Sequence, residues 1–319
     1  MEKRDVDFVA EIEKLKKQKN AVIMAHYYVS GDIQDIADYI GDSLALAQLA
    51  KKTDADIIVL CGVHFMGETA KILCPNKKVL VPDATAGCSL ADSCKADEFD
   101  KFIREHPGHK VVSYVNTTAE VKALTDVVVT SSNAKQIVES FPADEKIIFG
   151  PDHNLGNYIN SITGRNMVLW NGACHVHEKF SVQGIIDLKK QYPGAKVLVH
   201  PECPGPVVKL ADKVGSTAAL LKFALQDISQ VFIVATESGI LHEMQKKAPG
   251  KKFVPAPPEM DGKIGCSCNE CSYMKQNTIE KVYLALRDEQ PEVIIDAKLA
   301  EKAVKPIDRM LEISAKLGL

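Results

Sequence analysis

Five cysteines stand where metal chemistry is possible: Cys88, Cys174 and the close group Cys266, Cys268 and Cys271. Cys88 and Cys174 are 86 residues apart, and the third group begins 92 residues beyond Cys174. Near-equal spacing of one residue type predicts an internal repeat. Cys268-Asn269-Glu270-Cys271 alone suits either a zinc knuckle or a redox pair. Zinc normally takes four ligands in paired spacings, whereas Cys88 and Cys174 are singles. One thiolate from each of three lobes suits an iron-sulfur cluster with one iron open to substrate, because fully thiolate-ligated clusters use four. Cys61 and Cys74 read as small apolar core residues, and Cys94 and Cys203 as core or supporting residues. His175 and His177 lie close after Cys174 and could ligate metal; side chains alternate between the faces of an extended strand, and one of the two histidines is expected at the surface.

A second set of chemical residues follows three apolar runs. These are His26, Tyr27 and Tyr28; Tyr114 and Asn116; and His200, Pro201, Glu202 and Cys203. In open parallel sheets, ligands bind beyond the carboxyl ends of the strands, so such residues face any substrate. Aligning His26, Asn116 and His200 gives steps of 90 and 84 residues, close to the cysteine repeat. A third set lies 15 to 17 positions later: Ser43, Ser131, and Ser216 with Thr217. Each opens a helix-like stretch. One such serine alone is most simply a helix cap. Three recurring helix starts, with free N–H groups and the positive end of the helix dipole, would suit a substrate carrying several negative charges.

The elements that must position these groups repeat as well. First strands are predicted at 21–25, 111–115 and 197–199, and second strands at 57–60, 146–149 and 231–234. Their consecutive apolar residues predict parallel sheets covered by helices on both faces. Ile33, Ile36, Ala37 and Ile40 fall at helical spacing and predict an amphipathic helix. Third apolar runs at 79–81, 167–170 and 253–256 lead to the cysteines, and a further run at 110–113, 196–199 and 292–295 follows each one. The 319 residues, 46% of them apolar and 25% charged, suffice for a sizeable core. A net charge of -3 gives no reason to expect nucleic acid. No run reaches the roughly 18 apolar residues of a membrane span, and the charged start lacks a signal-peptide core, so the cytoplasm is the expected compartment. Nine cysteines in a reducing compartment point to metal or thiol chemistry rather than a disulfide framework.

Taken together, His26-Tyr27-Tyr28, Gly41-Asp42-Ser43, Tyr114-Val115-Asn116, Thr130-Ser131-Ser132-Asn133, His200-Pro201-Glu202-Cys203, Gly215-Ser216-Thr217 and Met274-Lys275-Gln276-Asn277-Thr278 resemble the quinolinate synthase (NadA) family over essentially the whole chain. The resemblance implies an α/β protein of three homologous αβα three-layer domains around a pseudo-threefold axis, with short parallel sheets and a central active-site cavity. The implied domains are 1–87 with 272–319, then 88–173, then 174–271. It further implies a 4Fe-4S cluster with one open iron, held by Cys88, Cys174 and Cys271. Some members carry a Cys-x-x-Cys-x-x-Cys segment; here Gly265 takes the first position and an extra cysteine lies at 266.

The implied reaction condenses iminosuccinate, supplied by an aspartate-oxidising enzyme, with dihydroxyacetone phosphate to give quinolinate, phosphate and water in NAD biosynthesis. Two carboxylates and a phosphate match the anion sites at Ser43, Ser131, Ser216 and Thr217. The several proton transfers need acid-base groups. Glu202 is expected to be the principal base, with His26, Tyr28, Tyr114 and His200 positioning or exchanging protons and Asn116 orienting substrate. Open iron would act as a Lewis acid. Rival readings are another iron-sulfur hydro-lyase, an iron-sulfur redox sensor, or a repeat scaffold. A sensor would not need the strand-end residues, and a solenoid would present an extended face.

Overall fold

The computed structural model describes residues 7–259 and 269–319. Three four-stranded parallel sheets follow one another along the chain, each with the same strand order. The first unit runs α1 (Phe8–Gln18), β1 (Ala21–His26), α2 (Gly31–Ile36), β2 (Tyr39–Gly41), α3 (Ser43–Lys52), β3 (Ile57–Cys61), α4 (His64–Leu73) and β4 (Lys78–Leu80). The second runs α5 (Ser89–Asp92), α6 (Ala96–Glu105), β5 (Lys110–Tyr114), α7 (Ala119–Lys122), β6 (Val127–Val129), α8 (Ala134–Glu139), β7 (Ile147–Gly150), α9 (His153–Thr163) and β8 (Val168–Leu169). The third runs α10 (Val182–Gln191), β9 (Lys196–Val199), α11 (Gly205–Val208), β10 (Lys213–Val214), α12 (Thr217–Gln226), β11 (Val231–Ala235), α13 (Ile240–Lys247) and β12 (Lys252–Pro255). Helices α14 (Ile279–Asp288) and α15 (Ala297–Lys316) close the chain.

Every residue of β3 and all but the first of β1 are buried, because helices cover both faces. Helices α1 and α14 pack on each other and on β1 and β3, while α3 and α4 form a second pair over β1 and β4. Helix α15 rests on α4 and on β6, α7 and α8. Among the described residues no helix is long and apolar enough to cross a membrane.

An aspartate repeated in each unit sets its register. The carboxylates of Asp38, Asp126 and Asp212 accept the backbone N–H groups of Ile23, Val111 and Val197 at 2.8, 2.8 and 2.9 Å. Each aspartate N–H donates back to the carbonyl of that same residue. These pairs turn the chain into a short edge strand, β2, β6 or β10, which pairs with the first strand of its sheet. The equivalent positions are therefore 88 and then 86 residues apart. On that register His26 matches Tyr114 and His200, and Tyr28 matches Asn116 and Glu202. The alignment of His26 with Asn116 is two residues out.

Two further expectations are corrected. The helix expected to extend to Ile40 ends at Ile36, since Asp38 turns the chain and Ile40 joins β2. The run 292–295 forms no strand: Glu292 makes an isolated antiparallel bridge to Leu80, and Ile294 is 76% exposed. Among the described residues it leads into α15.

Candidate active site

The carboxyl ends of β1, β5 and β9 converge on one cavity of about 70 Å³. His26 and Tyr28 reach it from the first unit, Tyr114 and Asn116 from the second, and His200 and Glu202 from the third. Ser43, Ser131 and Thr217 line it as well, at one equivalent position of the three units. Cys88, Cys174 and Cys271 complete the wall. Cys266 and Cys268 lie outside the described residues.

Ser216 does not line the cavity. It is the N-cap of α12, accepting the Ala219 N–H at 3.3 Å, just as Asp42 caps α3 by accepting the Ala45 N–H at 3.1 Å. Capping therefore falls to the residue before the lining hydroxyl, so the Ser43 and Thr217 side chains are not spent on the helix end. Ser131 precedes α8 in a turn, and its neighbour Ser132 ties the three helix starts together. The Ser132 hydroxyl donates to Asp42 Oδ2 at 2.7 Å and meets the Ser216 hydroxyl at 2.8 Å. Among the described residues lining the cavity there is no lysine or arginine. An anion would be met by N–H groups and hydroxyls instead.

Burial fixes the protonation of the donors. His26 and His200 are held down to about 3 because the buried rings shed charge, although Glu202 pulls both upward. Their Nδ1 atoms accept the N–H groups of Tyr28 and Glu202 at 3.2 and 3.4 Å. Each neutral ring therefore carries its proton on Nε2. In His200 that atom lies 3.3 Å from Ser131 Oγ. Burial also raises Tyr28 and Tyr114 well above the usual phenol range, so both keep their protons.

Glu202 lies at the meeting point. Its Oε1 accepts the Tyr114 hydroxyl at 2.6 Å, and its Oε2 is 3.3 Å from His177 Nδ1. Burial pushes its carboxyl up, but His177, His200 and the Tyr114 hydroxyl outweigh that and bring it to about 2. Because His200 is neutral, the bonds to Tyr114 and His177 are the part of that effect that acts at neutral pH. A chain of hydrogen bonds runs on from His177: Nε2 to Thr236 Oγ1 at 2.9 Å, Thr236 to the Tyr28 hydroxyl at 2.6 Å, and Tyr28 to Thr217 Oγ1 at 2.6 Å.

The three thiols form a donor set that a metal could use. Each has the backbone N–H groups two and three residues further on beside its sulfur: Leu90 and Ala91 for Cys88, Val176 and His177 for Cys174, Tyr273 and Met274 for Cys271. Burial pushes Cys88 up to about 12 and raises the other two, while these N–H groups favour the thiolate. A bound cation would reverse the balance and take the thiolates as ligands. Soft sulfur donors from three lobes fit iron-sulfur chemistry. Cys174, His177 and Glu202 also bring ligand atoms within 4.8 Å of one another.

Of the two histidines after Cys174 the structure turns one inward, and it adds Lys122 and Glu237, neither of them expected from the sequence, to the network. His177 is 2% exposed and stands 3.3 Å from Cys174 Sγ, whereas half-buried His175 bonds Ser89 Oγ at 2.6 Å. The chain after Cys174 turns tightly rather than running extended, so a histidine three residues on returns to the sulfur. The Cys-x-x-His spacing was the available signal. Lys122 is fully buried and donates to the carbonyls of Val115, at 2.9 Å, and Thr117, on either side of Asn116. Burial lowers it to about 8 against the pull of Glu68. Glu237 follows an apolar strand in the way Glu202 does and lines the cavity.

Three parallel α/β units that bring strand-end side chains and three thiols into one cavity define an α/β enzyme with a site able to hold metal. The chain belongs to the quinolinate synthase family: the family model "NadA: Quinolinate synthetase A protein" matches residues 10–312. Curated quinolinate synthases from Microcystis aeruginosa, Chloroherpeton thalassium and Thermosynechococcus vestitus are 56%, 55% and 54% identical to it. The matches cover 97% of this chain and 95%, 95% and 96% of those relatives.

Proposed function

We propose that the chain is a quinolinate synthase that condenses iminosuccinate with dihydroxyacetone phosphate, releasing phosphate and water, in the synthesis of NAD. The observation that carries the reading is the convergence of three equivalent helix starts, paired strand-end donors and three thiols on one cavity. Cys88, Cys174 and Cys271 would hold a 4Fe-4S cluster, leaving one iron without a protein ligand. When bound, the cluster supplies Lewis acidity toward a carboxylate or a departing hydroxyl. An aspartate-oxidising enzyme would supply iminosuccinate, and the cytoplasm would be the site of action.

The chain's own residues then divide the work. Ser43, Ser131 and Thr217, with the free N–H groups of their turns and helix starts, bind the carboxylates and the phosphate. His26 and His200 donate through Nε2 without carrying charge, so they stabilise developing negative charge on oxygen. Asn116, whose loop Lys122 clamps, orients the substrate. Glu202 is the base: it is ionised and can pass a proton through the Tyr114 hydroxyl or the His177 ring. Tyr28 and Tyr114 remain protonated as donors to substrate oxygen. Ser216 serves by capping α12 rather than by contact.

Incubating anaerobic full-length protein with iminosuccinate and dihydroxyacetone phosphate should yield quinolinate. No product from metal-replete protein would reject the assignment. The grouping of Cys174, His177 and Glu202 favours a second reading, a single zinc-type ion. Four irons with four acid-labile sulfides per chain support the cluster, and one zinc per chain supports the rival.

A further inference from the structure

The three sheets place different residues at one equivalent point, two positions beyond the second strand. β3 is followed there by Val63, β7 by Asp152 and β11 by Glu237. Pairings of Ala25 with Cys61, Ser113 with Gly150 and Val199 with Ala235 fix that equivalence. Both acids are buried, at 0% and 1% exposure, where a carboxylate persists only if its oxygens are bonded. Their bonds follow one plan. Asp152 Oδ1 accepts the Leu155 N–H at 2.7 Å and Oδ2 accepts the Cys174 N–H at 3.3 Å. Glu237 Oε2 accepts the Gly239 N–H at 2.7 Å and Oε1 accepts the Cys271 N–H at 3.0 Å. One oxygen holds the acid to its own turn, and the other holds the cysteine. The first unit has no side-chain acceptor at Val63; there the His64 N–H donates to the Ala86 carbonyl at 2.7 Å, two residues before Cys88.

We infer that Asp152 and Glu237 are positioning residues for the metal site, each fixing the backbone of one cysteine so that Cys174 and Cys271 present their sulfurs to the cavity beside backbone-held Cys88. The inference rests on the reading of these three cysteines as metal ligands. Lys275 extends the device in the third unit. Its ammonium binds Glu237 Oε1 at 2.9 Å and the Tyr28 carbonyl at 2.7 Å, and its N–H donates to the Cys271 carbonyl at 3.2 Å. The Cys271 turn is thus tied both to β11 and to the strand end that carries His26 and Tyr28.

The test is thiol alkylation by iodoacetamide, mapped peptide by peptide in the full-length chain, held anaerobically and freed of metal by a chelator. Glu237→Ala should speed alkylation of Cys271 on the order of fivefold, the worth of one lost hydrogen bond, and leave Cys88 and Cys174 unchanged. Asp152→Ala should do the same to Cys174 alone. Glu237→Gln and Asp152→Asn keep an oxygen that accepts the N–H and should stay near the parent rates. In metal-loaded protein both alanine variants should release iron to a chelator faster than the parent. Circular dichroism identifies any variant that has lost its fold; for Glu237→Ala, Lys275→Met then replaces it, with Cys271 again the thiol that accelerates. Equal acceleration of all three thiols, or none, overturns the inference. Substrate is absent throughout, so failure to make quinolinate would leave the alkylation pattern unaffected.

Discussion

Glu202 receives bonds from the Tyr114 hydroxyl and the His177 ring while lying beneath the surface, which keeps it ionised where burial alone would neutralise it. Replacing it with glutamine preserves shape and removes proton acceptance. Glu202→Gln should therefore keep the metal content and visible spectrum yet lower turnover at least about 100-fold, the low end for a general base. Retained turnover would remove Glu202 from that role. The histidines give a separate prediction, for stability against pH. His26 and His200 titrate near 3 when folded and at the ordinary 6.5 when unfolded. Between those values the unfolded chain binds protons that the folded chain refuses, so stability falls as pH drops below 6.5. Each ring contributes a slope of at most about 1.4 kcal/mol per pH unit in that window. His200→Asn should flatten the acid limb of a urea midpoint measured from pH 7 to pH 4.5, and an unchanged limb would contradict the buried neutral ring.

At the scale of elements, the aspartates that open the edge strands are the clearest repeated device. Asp126 accepts the Val111 N–H with its carboxylate and returns its own N–H to the Val111 carbonyl, so one residue closes both sides of the β5–β6 connection. Removing the carboxylate leaves the Val111 donor unpaired at a partly buried site. Asp126→Ala should cost about 1–3 kcal/mol in urea unfolding, with Asp126→Asn recovering part of it. These edge strands, two or three residues long, also mark the limit of what was legible. Runs such as 57–60 and 231–234 announce buried strands because every position is apolar, and the structure has β3 and β11 there. Tyr39-Ile40-Gly41 is too short to show any period, so Ile40 was absorbed into the helix before it. Missing the edge strands cost the register, and with it the pairing of His26 with Tyr114. His26, Tyr28, Tyr114, Asn116, His200 and Glu202 were legible because they stand at or just beyond the ends of the first strands, whereas Glu237, which lines the cavity after β11, was not. Thr236 and Lys122 were not legible either, since their roles depend on burial behind a loop, and which of His175 and His177 turns to the sulfur depends on the turn after Cys174. We propose domain boundaries near 87, 173 and 271; each sheet lies within one such segment, and α15 spans two of them by packing on α4, β6, α7 and α8.

For the whole molecule, the consequence is that no unit owns the site. The Tyr28 hydroxyl of the first unit is held by Thr217 and Thr236 of the third, the Tyr114 hydroxyl of the second by Glu202 of the third, and Asp42 of the first by Ser132 of the second. A metal bound by Cys88, Cys174 and Cys271 would add a covalent bridge across all three. Ligands that bind only the assembled state stabilise it by mass action, by about 3 kcal/mol when present at 100 times the dissociation constant. Stripping metal with a chelator should therefore lower the melting temperature of the parent chain by several degrees. Cys88→Ala, Cys174→Ala and Cys271→Ala, each from a different unit, should melt near the stripped parent and respond little to chelator. The thiols of Cys61 and Cys74 are buried in the core away from the cavity, and Cys61→Ala should keep both the metal and the chelator response. A cysteine variant that retains a full complement of iron and the parent's chelator shift would strike that residue from the ligand set, and for Cys271→Ala would return the third position to Cys266 or Cys268.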